Sequence, residues 1–163
     1  MFREMRRNKQ NLSSEESIAV LSNGTSGVLA VSGDHGYPYA VPLSYVYHDS
    51  RIFFHCAKAG HKLDAIAGNN KVSFCVIDQD NVVPQEYTTY FRSVIVFGKA
   101  RVLENEAEKR CALEQLAAKY SPDQGEELLR EIDKALEKVC MIELSIEHMT
   151  GKEAVELVRS RSL

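Results

Sequence analysis

Apolar residues in this chain come in short runs, and each run ends at a glycine, a proline or a cluster of Asn, Asp and Ser. That punctuation favours a set of strands over a helical bundle. Gly27 to Ser32, Tyr37 to Tyr47, Arg51 to Ala57, Lys71 to Ile77, Phe91 to Leu103 and Cys140 to Ile146 each read as a strand. Gly33-Asp34-His35-Gly36 and His48-Asp49-Ser50 are the turn-forming residues between them. Pro38 and Pro42 interrupt the second run, and proline cannot donate to a ladder, so that strand is expected at a sheet edge or with gaps in its pairing. Gly98 predicts a bulge or bend in the fifth run. Residues 78–90, with Pro84, Tyr87 and Tyr90, read as a long loop.

The helical signals are peripheral. Ser13 and Glu16 form a capping box for a helix carrying Ile18, Val20 and Leu21, which should stop near Asn23-Gly24 with a left-handed glycine exit. A short helix, His61 to Ala67, follows Gly60. Asn105 caps a helix through Tyr120 whose apolar face holds Ala107, Cys111, Leu113, Leu116 and Ala117. A second amphipathic stretch runs from Glu126 to about Lys138, and Lys152 to Val158 reads as a terminal helix. Six strands with such helices predict a mainly β fold, a small closed or partly open barrel. A length of 163 residues suits one domain over 1–163. At 44% hydrophobic residues, its core needs neither disulfides nor a structural metal.

Charge and motifs exclude several functions. A formal charge of −3 gives nucleic acid no general reason to bind. The basic cluster Arg3, Arg6, Arg7 and Lys9 is either a solvated arm or a contact for an anionic ligand or partner subunit. No apolar run approaches the roughly 18 residues of a membrane span, and no apolar segment follows the N-terminal charges as in a secretory signal. Cys56, Cys75, Cys111 and Cys140 are spaced too widely for a zinc knuckle or a redox CxxC pair, so reduced thiols in a cytoplasmic protein are expected. There is no HExxH metal motif, no GxSxG elbow and no GxGxxG fingerprint, so any nicotinamide would visit only as a transient reductant. His35 and His48 sit in turns and receive no role.

The segment His55 to Leu63 (HCAKAGHKL) carries the most chemistry. A strand ends, a glycine turn follows, and a helix opens at His61-Lys62. First-turn amides of a helix are unpaired donors at its positive end, Lys62 adds a full charge, and Gly60 lets backbone approach closely. A phosphate fits that site, although a strand–turn–helix unit can hold Gly and Lys for structural reasons alone. His55 lies between Phe54 and Cys56, as a packed histidine or a catalytic one. Arg92 opens a strand, as an ion-pair partner or a ligand contact. Tyr87 and Tyr90 suit loop packing or a substrate lid.

Four ordered blocks resemble the 5-nitroimidazole-resistance branch of the pyridoxamine-phosphate-oxidase-like flavoproteins. His55, Ala57, Gly60 and Lys62, with Ile66 in the last place, resemble its HxAxxGxKxxxL segment. Pro38 to Tyr45 resembles its P-x-V-x-P-L strand, Tyr90 to Val102 its YRSVxxxGxAR block, and Met149 to Glu153 its SGKE block; Arg6-Arg7 matches its paired arginines. The chain has Phe91 where that pattern has tyrosine, and Met149 where relatives often have an aromatic residue. The resemblance implies a six-stranded FMN-binding split β-barrel, and a homodimer with FMN between the subunits. By the same token Pro42, Leu43, Ser44 and Tyr45 would line the flavin, Ala57, Gly60, His61 and Lys62 its phosphate, and Arg92 and Ser93 the same cofactor or the partner's. His55 would stand beside the ring as the catalytic residue of an oxidoreductase reducing small electron-poor, nitroimidazole-like compounds. The alternatives are a non-catalytic flavin- or haem-binding module, the haem held through His55 or His61, and a pyridoxamine 5′-phosphate oxidase-type enzyme, for whose phosphate no second cationic cluster is evident.

Overall fold

The computed structural model describes residues 1–122 and 125–161. Seven strands, β1 (Ser26–Ser32), β2 (Pro38–Ser44), β3 (Val46–His48), β4 (Arg51–Cys56), β5 (Lys71–Val83), β6 (Thr88–Val102) and β7 (Cys140–Glu153), form one antiparallel sheet in the order β2-β1-β5-β6-β7-β4-β3. Five helices surround it: α1 (Ser14–Asn23), α2 (His61–Gly68), α3 (Glu106–Tyr120), α4 (Gly125–Lys138) and α5 (Val155–Ser160).

The mainly β fold with peripheral helices is as expected, but the six-stranded barrel is corrected to a seven-stranded sheet that does not close. The run Tyr37 to Tyr47 is cut in two at Tyr45. Its ring is fully buried, its hydroxyl donates to the Leu21 carbonyl at 2.7 Å, and its amide donates to the Tyr120 hydroxyl at 3.0 Å. The amide is therefore spent outside any ladder, and the strand cannot continue. β2 stays with β1 at one edge of the sheet, where its two prolines are tolerated. β3 crosses to the other edge beside β4. Because a single residue links the first and last strands of the order, the sheet must curl until its edges lie side by side, with no ladder joining them.

Two further corrections extend strands. The expected loop 78–90 is the far end of a hairpin: a bulge between Ile77 and Gln79 resets the register, and pairing resumes from Gln79–Arg92 to Val83–Thr88. Only Pro84–Glu86, a 3-10 turn, and Tyr87 at φ 52° break it. The last strand runs to Glu153 rather than Ile146, so the terminal helix begins at Val155 and not at Lys152. Thr150, Gly151 and Lys152 still pair with Ile95, Val94 and Ser93, and Leu12 donates to the Gly151 carbonyl from the other side.

Local signals held where the chemistry is local. Ser13 and Glu16 make the reciprocal capping box, and the Asn105 side chain accepts from the Ala107 and Glu108 amides. The register slips between Phe97 and Gly98, as the glycine predicts. Gly24 is a correction: it leaves α1 extended, at φ −63°, not left-handed. Close approach demands glycine there, since a Cβ would lie 2.6 Å from the Tyr45 hydroxyl.

The interior of the curl is packed by residues such as Leu29, Phe54, Phe74, Val96 and Ile142. A second cluster joins Val46, Phe53 and Met141 to Leu113, Leu116 and Ile132 of α3 and α4. β4 thus serves two cores by alternation, sending Ile52, Phe54 and Cys56 inward and Phe53 toward the helices. Among the described residues no helix is long and apolar enough to cross a membrane, and no cluster of His, Cys, Asp and Glu could hold a metal.

Candidate functional site

The turn after β4 leaves backbone donors open at the start of a helix. Gly60 sits at φ 138°, a conformation that side chains rarely adopt, and it opens α2 with no side-chain cap. The first carbonyl, that of Gly60, accepts from Leu63 at 2.9 Å and Asp64 at 3.3 Å. The amides of His61 and Lys62 are left without an intrahelical acceptor at the positive end of the helix. Ala57, Lys58, Ala59 and Gly60 are all exposed, and Lys62 is half-buried. His61 is held sideways. Its ring stacks on Tyr39, with centroids 4.2 Å apart, and its Nε2 lies 3.6 Å from the Asp34 carboxylate. The backbone of His61 and both the backbone and charge of Lys62 can meet a phosphate, while the His61 side chain ties the turn to β2.

His55 is exposed while its neighbours Phe54 and Cys56 are buried. Alternation along β4 puts it on the side of Phe53, at the floor of an apolar groove of about 360 Å³ under α3 and α4. Ser44 shares that floor, and Leu116, Ala117, Tyr120 and Ile132 form part of its walls. A packed core histidine is thereby excluded; the imidazole faces a space that a small molecule can enter.

β2 divides the residues expected along it. Pro42 and Ser44 are exposed and face outward, whereas Leu43 packs against the inner core. The Tyr45 ring is buried with its hydroxyl and amide already committed, so the ring lines no cavity. Arg92 is held by two carboxylates, donating to Glu153 at 3.1 Å and 3.3 Å and lying 3.5 Å from Asp78. Ser93 sits between Ile77 and Lys152 in the sheet. His55 pairs with Met141 and Arg92 with Glu153, so the two stand toward opposite ends of β7. Ser44 and His55 share the groove, whereas Arg92 and Ser93 line no part of it.

The sequence gives no sign that α3 and α4 roof His55. The apolar face of α3 is visible in the spacing of Leu113, Leu116 and Ala117, but its position over β4 depends on Phe53 and Met141, which are distant in the chain. The outer face of the sheet is the other feature missed. Val28, Ile77, Ile95 and Phe97 are exposed there, because strands that read as simply apolar have only one face in the core. Phe2 covers part of that face, stacking on His148 at 4.6 Å and lying 5.6 Å from Phe97.

A family model described as Pyridoxamine 5′-phosphate oxidase matches residues 13–153. Solved structures share the fold. A candidate 5-nitroimidazole antibiotic resistance protein from Bacteroides thetaiotaomicron is 23% identical, with a TM-score of 0.74 over 88% of this chain and 86% of its own. A FAD-binding protein from Mesorhizobium loti is 25% identical, with a TM-score of 0.65 over 89% and 97%. The FAD and heme binding protein from Mycobacterium smegmatis is 22% identical, with a TM-score of 0.75 over 90% and 73%. Among the curated proteins none matches the chain.

Proposed function

This chain belongs to the pyridoxamine 5′-phosphate oxidase family, and we propose that it is an FMN-binding oxidoreductase that reduces small, planar, electron-poor compounds of the nitroimidazole kind. The observation that carries this reading is the exposed turn from Ala57 to Gly60, which presents the His61 and Lys62 amides and the Lys62 side chain together. That donor set fits a single terminal phosphate. The substrate class rests on the likeness to the Bacteroides protein and on the apolar groove at His55.

FMN, when bound, supplies the redox chemistry, and the protein supplies position and environment. Lys62 and the first amides of α2 would hold the phosphate. Ser44 and His55, on the floor of the groove, would stand beside the substrate, and His55 would hand a proton to a substrate that gains electrons. Leu116 and Ile132 keep water from the groove and favour flat, uncharged molecules. Arg92 and Ser93, neighbours on β6, would serve the cofactor of their own chain or that of a second copy. The exposed row Val28, Ile77, Ile95 and Phe97, adjoining Ser93, is the surface through which a homodimer would form. Four free cysteines fit a reducing, cytoplasmic setting.

A second reading, a flavin- or haem-binding module without turnover, draws on His55 as an imidazole open to an apolar groove and on the Mycobacterium protein that binds FAD and heme. An absorption spectrum of the purified and FMN-reconstituted protein, with flavin quantitation and light scattering, tests both. Flavin bands with one FMN per chain in a dimer are expected. A haem Soret band supports the second reading, and a monomer that takes up no flavin overturns the first.

A further inference from the structure

Cys56 is the last residue of β4, Cys140 is the first of β7, and the register sets them directly opposite each other. Directly opposed residues of an antiparallel pair have Cα atoms about 4.5–5.5 Å apart. That lies within the roughly 4.4–6.8 Å that a disulfide spans, so a bridge needs no backbone movement. Opposed residues also share a face of the sheet. Here both side chains face the inner core, Cys56 inside it and Cys140 half-buried at its margin, close enough for each thiol to act on the other. Neither takes part in the proposed flavin site. The other two thiols have no such partner: Cys75 lies between Val28 and Ile95 in the sheet, and Cys111 is exposed on α3.

We propose that Cys56 and Cys140 form a reversible disulfide, driven by a small-molecule disulfide such as oxidised glutathione, that locks β4 to β7 at the entry to the phosphate turn. Cys140, the more accessible thiol, loses its proton and its sulfur attacks one sulfur of the oxidant. The oxidant's S–S bond breaks, and the departing thiolate takes up a proton. The Cys56 sulfur then attacks the mixed disulfide at Cys140, loses its own proton, and expels the second small thiol. Two electrons pass from the cysteine pair to the oxidant, and excess thiol runs the exchange backward. Burial, together with neighbouring Cys140 and against the opposing charge of Lys62, pushes the Cys56 thiol up to about 11. A thiol of that kind is slow toward a free oxidant but suits the second step, where the mixed disulfide is already held beside it.

The Lys62 charge reaches the Cys56 sulfur, so the bridge would form next to the residue assigned to the phosphate. Oxidation should therefore shift the affinity for FMN relative to riboflavin. That consequence rests on the proposed phosphate site; the disulfide does not.

The test is to incubate the full chain with oxidised glutathione at alkaline pH, block free thiols with an alkylating reagent, and map the digest by mass spectrometry. A Cys56–Cys140 cross-linked peptide is expected, with two of the four cysteines protected from alkylation and freed again by excess dithiothreitol. The Cys75→Ser, Cys111→Ser double variant should keep the cross-link, and Cys140→Ser should lose it. Four alkylated thiols after prolonged oxidation, or a cross-link between other cysteines, overturns the proposal. If the cross-link forms while the FMN-to-riboflavin affinity ratio stays constant, the disulfide stands and its link to the phosphate site is rejected.

Discussion

The hydroxyl of Tyr120, at the end of α3, accepts from the Tyr45 amide at 3.0 Å and lies 2.8 Å from the Tyr45 carbonyl, occupying the gap where the two edges of the sheet meet. The same hydroxyl reaches the Thr25 carbonyl. A phenol therefore stands in for the strand that would have closed the sheet. Its neighbour Lys119 sets its ammonium 4.4 Å from the centre of the Tyr45 ring, so the last turn of α3 is fixed to the split by two consecutive side chains.

Tyr120→Phe should destabilise the protein without changing its fold. It leaves the Tyr45 amide without a partner, and an unsatisfied buried donor costs about 1–3 kcal/mol. Thermal unfolding should show the midpoint falling by roughly 2–4 °C for each kcal/mol at this chain length. An unchanged midpoint would mean that water replaces the phenol and that the split needs no clasp.

Lys62→Ala should weaken FMN binding far more than riboflavin binding, because Lys62 is assigned to the phosphate alone. A hydrogen bond to a charged group contributes about 1.5–3 kcal/mol, which corresponds to roughly 10- to 150-fold in affinity. The loss should shrink at high salt, since Lys62 is only half-buried. Fluorescence titration with both flavins gives the comparison, and equal losses for the two would assign Lys62 to the fold.

What the sequence made legible was chemistry settled within a few residues. The Ser13–Glu16 box, the Asn105 cap, the bulge at Gly98 and the glycine turn before α2 each depend on neighbours in the chain. The edge position of β2 was legible because proline lacks a donor whatever surrounds it. Tyr45 was not. Inside an apolar run it reads as one more strand residue, and only Leu21, 24 positions away, and Tyr120, 75 away, make it the breakpoint. The hairpin end at 78–90 was hidden for a similar reason: its polar residues give no core pattern, and the pairing of β5 with β6 holds them. The hold of Glu153 and Asp78 on Arg92 was likewise hidden, since they lie 61 and 14 positions away.

Stability in acid should depend on Glu143. Its buried carboxylate accepts from Arg101 at 2.9 Å and 3.2 Å and from Ser145 at 3.2 Å, with Arg51 3.6 Å away. Burial alone would raise its titration point, but the hydrogen bonds and charge of Arg101 prevail and hold it below the ordinary 4.5. A folded value below the unfolded one makes this contribution fully present above about 4.5, and it is lost as pH falls through the folded value. Glu143→Gln should accordingly be less stable than wild type at neutral pH, with the gap narrowing in acid. Urea denaturation at the two conditions measures it; a gap independent of pH would show that the charge contributes nothing.

His55→Ala should keep the flavin and impair reduction of a nitroaromatic substrate. The side chain is exposed on β4, so its removal opens no core cavity, and it is separate from the amides and ammonium assigned to the phosphate. What it offers the groove is an imidazole facing the space where a substrate would gain electrons. General acid help of this kind is typically worth about 100- to 10,000-fold in rate. Turnover per bound flavin, with the melting temperature measured alongside, separates the possibilities. Lost turnover at constant flavin content and stability supports a catalytic imidazole. A fall in flavin content and stability together, with turnover per flavin unchanged, would make His55 part of the scaffold and leave the proton to be supplied by solvent.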